Sequence, residues 1–193
     1  MKKAKKLLAL LLCAVLLVGV SVAGTLAYLT SQDTATNTFT VGKVEIKLEE
    51  YHVDQQTGKK TEAVVEGLTD LELVPGRVIE KNPFITVAGD SETCWLFVKI
   101  ENNLGDTVTI NGLEKNGWTA VDGHPGYYQY AYAVAAGTVV PVFDSVTCDT
   151  TNTYETLNGI TAKNIVITAF AVQSEGITSE NAWGALGQHY TLN

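Results

Sequence analysis

The sequence predicts an all-β domain, a sandwich or barrel of short strands, and three observations predict it. Runs of alternating apolar and polar residues recur from residue 39 onward, the period of half-buried strands. Turn-forming residues separate these runs, at Thr57-Gly58, at Pro75-Gly76 and in the DGHPG stretch at 122–126. Helical character is confined to TSENAWGALGQ near the end. Many short strands with almost no helix exclude the alternating βαβ classes.

The elements follow in order. In FTVGKVEIKLEEY, Val44, Ile46 and Leu48 point one way and Glu45, Lys47 and Glu49 the other, which predicts a strand. A hairpin turned at Thr57-Gly58 brings back a short strand over 63–65. Pro75-Gly76 makes a turn and Pro83 marks an edge or a break, because proline cannot donate to a ladder. CWLFVKIENN is the strongest strand, with Cys94, Leu96, Val98 and Ile100 on one face and Trp95, Phe97 and Lys99 on the other. VTINGL is short, and WTAVDGHPGYYQYAYAV is a hairpin with a tyrosine-rich second arm. VVPVFDSVTC and AKNIVITAFAVQ are rich in β-branched and aromatic residues and predict two more strands. The helix is capped by Thr178 or Ser179, favoured by Glu180 in its first turn and ended by Gly187.

Ahead of this body stands MKKAKKLLALLLCAVLLVGVSVAGTLA. Four lysines, an apolar run over 7–20 and small residues thereafter have the order of a secretory signal. With Thr25 and Ala27 at the minus-three and minus-one positions, cleavage is expected between Ala27 and Tyr28. The rival is a retained anchor, since 7–27 approaches the roughly 20 residues that span a bilayer. The polar TSQDTATNT that follows, with no basic stop, favours cleavage. The expected organisation is therefore a signal peptide over 1–27, an extended segment over 28–38 and a sandwich over 39–193, with the body outside the membrane.

The whole chain carries 13 basic and 21 acidic residues. Loss of the four leader lysines leaves nine basic residues and a net charge of −12. Such a body repels nucleic acid and anionic lipid, so neither is an expected partner, and contact with the membrane is limited to the signal segment.

No catalytic or metal-binding pattern emerges, and no cofactor is expected. His52, His124 and His189 are isolated, without the His-Glu-x-x-His spacing that places two ligands on one helical face. Cys94 and Cys148 lack Cys-x-x-Cys spacing. An even pair in an exported protein permits a disulfide, and two buried free thiols fit equally well. Asp144-Ser145 lies outside any Gly-x-Ser-x-Gly elbow. LEEY and TDLE are expected to be solvated edges and turns, and DTTNTYE lacks the glycine and spacing of a calcium loop.

Four stretches resemble a known family. GTLAYLTSQDTATNTFTVGKVEIKLEE is similar to the junction of proteins processed by the dedicated signal peptidase SipW. VPGRVIEKNPFITVAGDSETCWLFVKIENN, FDSVT and ITAFAVQSEGITSENAWGAL resemble, in that order, the body of the TasA and camelysin group. The resemblance implies a jelly-roll-like antiparallel β-sandwich with one short C-terminal helix. It also implies secretion into the extracellular matrix or to the cell surface, and assembly into biofilm fibres in which the N-terminal segment of one subunit completes a sheet of the next. The partners so implied are other copies of the chain, a nucleating or anchoring matrix protein, and the signal peptidase during export.

The residues give that idea a handle. Residues 28–38 are too polar to fold alone, and at about 3.3 Å per residue they reach roughly 36 Å. Tyr28, Leu29, Ala35 and Phe39 are the candidate anchors. A monomeric surface module that binds carbohydrate or host protein is the alternative, with Trp95, Trp118 and the tyrosines of 127–132 as its aromatic surface. A secreted metalloprotease is the third reading. It rests on the label of camelysin-type relatives, and this sequence offers no zinc-ligand cluster for it.

Overall fold

The computed structural model describes residues 43–67 and 71–192. The expected signal peptide, the cleavage point at Ala27 and Tyr28, and the anchors Leu29, Ala35 and Phe39 lie outside the described residues. Within them the chain is an all-β, sandwich-like fold of eleven strands, all paired antiparallel.

Three sheets build it. The first has the order β2-β1-β4-β9, with β1 Ile46–Val53, β2 Lys60–Val65, β4 Pro83–Val87 and β9 Val139–Pro141. The second has the order β3-β10-β6, with β3 Val78–Ile79, β6 Val108–Asn111 and β10 Ser145–Cys148. The third has the order β11-β5-β8-β7, with β5 Cys94–Asn102, β7 Trp118–Ala120, β8 Tyr127–Tyr130 and β11 Ile165–Gln173. One core joins all three: Ile85 and Val87 from the first, Val108 and Val146 from the second, Leu96, Val98 and Ile100 from the third. Burying each such side chain contributes about 1.5–3 kcal/mol, which is what holds sheets that share no ladder.

The alternation read from the sequence sets the faces. On β5, Cys94, Leu96, Val98 and Ile100 enter the common core. Phe97 points the other way and is nonetheless fully buried, because helix α2, Ser179–Gly187, covers that face with Ala182, Trp183 and Leu186. Thr178 is its N-cap in backbone conformation, without a side-chain cap bond. The two predicted hairpins form, β1–β2 and β7–β8.

Three expectations are corrected. VVPVFDSVTC is two strands rather than one: β9 and β10 belong to different sheets, and the fully buried Val142 and Phe143 carry the chain between them. A uniformly apolar run hides such a switch because it has no polar residue to mark the break. Pro83 is buried at the first residue of β4, which lies between β1 and β9 and not at an edge. A first-residue position tolerates proline without placing the strand outside. DTTNTYE contributes to a further short helix, α1, Tyr154–Gly159. Thr153 and Thr156 form a capping box there, each side chain accepting from the other's backbone N–H.

Candidate functional site: an open cleft between β1 and β11

Among the described residues strand β11 is the longest strand at a sheet edge. It pairs with β5 without interruption from Ile165 opposite Asn102 to Gln173 opposite Cys94. Among the described residues its other edge has no strand partner. The side chains that β11 sends inward, Ile165, Ile167 and Ala169, are only partly buried against the core. Those of β1, Ile46 and Leu48, are in the same condition. Among the described residues the sandwich is thus incompletely covered along this side.

A cleft of about 1250 Å³ occupies the opening. Its wall is apolar where it meets the core, at Leu48, Ile79, Leu104, Val146, Leu157 and Ile165. Helix α1 contributes Leu157, which is buried, and Tyr154, which is 77% exposed. Six charged residues also line it: Glu49, Glu50, Glu66, Glu72, Lys81 and Lys163.

One ion pair lies inside. Glu50 has the parity of Ile46 and Leu48 on β1, so it points inward, and it is the buried charged residue of the described chain. Lys81 donates to Glu50 Oε2, with the two side chains 11% and 7% exposed. The other carboxylates of the wall are nearer water: Lys47 donates to Glu49 at 2.7 Å, and Arg77 lies 3.6 Å from the exposed Glu72. LEEY is therefore not a plain solvated edge. Its Glu50 stands on the apolar face of a strand, and that parity was the signal available in the sequence.

The remaining residues of interest are structural. Cys94 and Cys148 are both free and buried, each fixed in the register of a different sheet. The disulfide that an even count permits does not form here. Burial pushes the Cys94 thiol up to about 11, which keeps it protonated and inert. Asp144 accepts from Lys115 Nζ at 2.8 Å and from Asn116 Nδ2 at 3.0 Å, and these bonds hold its carboxyl below the usual range. Asp149 accepts from the Thr151 backbone and hydroxyl, which lowers it likewise and closes a local turn. His52, His124 and His189 are exposed and scattered, although the His124 ring packs 4.6 Å from that of Trp183. Among the described residues no group of three or more His, Cys, Asp or Glu is placed to hold a metal ion.

The aromatic residues considered for ligand binding serve packing instead. Trp118 is 1% exposed and donates through Nε1 to Pro141 O at 2.8 Å. Trp95 donates to Ile177 O, and Tyr127 is buried beside Trp183. Only Tyr132 of that stretch is broadly exposed, at 70%. No protein-family model, curated protein or solved structure matches the chain.

Proposed function

We propose that the chain is an exported structural protein, a subunit of extracellular matrix fibres, in which residues 28–38 of one copy complete the sheet of another. This reading keeps the resemblance to the TasA and camelysin group as its premise. The observation that carries it is the edge of β11 that has no strand partner among the described residues, beside an apolar cleft. A strand laid there satisfies its own backbone groups and those of β11, and its side chains cover Ile165, Ile167 and Leu48. Nine residues of β11 give an edge of about 30 Å, comparable to the reach of the donated segment. Secretion follows from the leader, and the partners are other copies of the chain together with a matrix protein that nucleates or anchors the fibre. The role is structural and involves no catalysis.

The burial of Trp118 and Tyr127 removes the main support for a carbohydrate- or protein-binding module. The test uses two purified forms, one beginning at Tyr28 and one at Phe39, viewed by negative-stain electron microscopy. Fibres from the first alone are expected. Monomers from both, or fibres from both, overturn strand donation.

A further inference from the structure

Side-chain parity divides residues 28–39 into two faces. Leu29, Ser31, Asp33, Ala35, Asn37 and Phe39 share one; Tyr28 and five polar residues, four of them threonine, share the other. The first face carries three of the four anchors, Leu29, Ala35 and Phe39, to set against the wall made by Leu48, Ile79, Leu104 and Ile165, and the second carries Tyr28 alone. That face also carries Asp33, the single charged residue of the segment. Insertion of the apolar anchors therefore forces one carboxylate into the slot, and a buried carboxylate requires a cation with hydrogen bonds to give.

Two lysines line the cleft. Lys163 is exposed, whereas Lys81 is set among the inward-facing side chains. An ammonium has three N–H donors, and Glu50 is the acceptor of Lys81 among the described residues. We infer that Lys81 receives Asp33 of the incoming strand and so fixes the register in which copies join. The inference rests on the strand-donation reading above.

The logic is a two-step selection. Parity chooses the face, because a slip of one residue turns Leu29, Ala35 and Phe39 outward. A slip of two residues keeps the face and is not resisted by hydrophobicity. It moves Asp33 by about 7 Å along the strand, away from Lys81 and onto apolar wall. Charge thus discriminates among the registers that parity allows. Glu50 orients the ammonium.

Carbodiimide coupling of assembled mature chain tests this, with equal parts of unlabelled and nitrogen-15-labelled protein and mass spectrometry of the linked peptides. The expected product is an amide between Asp33 of one copy and Lys81 of another, seen as mixed-label pairs. D33N is expected to lose that product and to slow assembly about tenfold, and the shifted variant S31D/D33S to do the same. If fibres form and Asp33 couples instead to Lys163 or another lysine, the register is wrong while strand donation stands. If the form beginning at Phe39 assembles as readily as the form beginning at Tyr28, strand donation itself fails and the register falls with it.

Discussion

Glu50 and Lys81 form an ion pair on the inner face of the sandwich, at the mouth of its open side. Glu50 stands opposite Pro83 in the β1–β4 ladder, and Lys81 lies two residues before that proline, in the short link from β3 to β4. Desolvating two charges is costly, and the pair is weak evidence for stability. Removing one partner is another matter. Lys81→Met takes the cation from beside a buried carboxylate and is expected to cost about 3–5 kcal/mol. The double variant E50L/K81M is expected to recover most of that. Urea denaturation of the two singles and the double closes the cycle, and additive costs would show that the residues do not act as a pair.

The β1–β2 hairpin tip supplies a second prediction. Gly58 adopts φ +71°, and a Cβ there would lie 2.6 Å from the carbonyl oxygen of Val78. The tip is tied down there, because the Glu80 backbone N–H donates to Gly58 O at 2.8 Å. Gly123 in the β7–β8 turn has nearly the same φ, +72°, with nothing within 4 Å of such a Cβ. Both Gly→Ala changes carry the left-handed cost of about 1–2 kcal/mol. Only Gly58→Ala adds a clash with backbone that cannot turn aside, so it is expected to cost at least 1 kcal/mol more. Thermal melts of the two variants compare them directly, and equal losses would mean that the tip moves freely.

Much of this fold was legible because alternation writes burial into the sequence. In β1, Ile46 and Leu48 turn inward while Lys47 between them is exposed, and on β5 Cys94, Leu96, Val98 and Ile100 mark the core face. Phe97 is where that rule stops. Its face looks half-polar, with Lys99 two residues on, and its burial depends on a helix more than 80 residues away. The switch between β9 and β10 and the central place of Pro83 were hidden for the same reason: which sheet a strand joins is set by distant partners. The cleft was the least legible feature. Its wall gathers residues from β1, the Pro75 region, α1 and β11, which no local pattern relates. Only the inward parity of Glu50 pointed to it.

Acid is expected to weaken the domain through Asp144. Lys115 donates to it first and Asn116 second, and both bonds favour the ionised form. A depressed folded pKa means that this stabilisation is present above the unfolded value of about 3.9 and is lost as pH falls through the folded one. D144N is therefore expected to be less stable at neutral pH and to show a shallower loss between about pH 5 and 2. The group is partly exposed, so the effect is smaller than a buried pair would give. Denaturant midpoints across that range measure it, and parallel curves for the two proteins would remove Asp144 from the account.

At the alkaline end Cys94 contributes, because burial raises its thiol to about 11. The unfolded thiol ionises near 8.5, so between roughly pH 8.5 and 11 the unfolded chain binds fewer protons than the folded one. The stability tied to this thiol is complete below pH 8.5 and declines as pH rises through that window. C94A leaves a small cavity and starts lower, yet its decline over the same range is expected to be shallower than that of the parent. Thiol reagents give an independent reading. With Cys94 and Cys148 both fully buried, neither is expected to react in the folded domain at neutral pH, and both are expected to react once urea unfolds it. Rapid modification of Cys94 in the native state would show that β5 opens locally, and the core register of that strand would have to be redrawn.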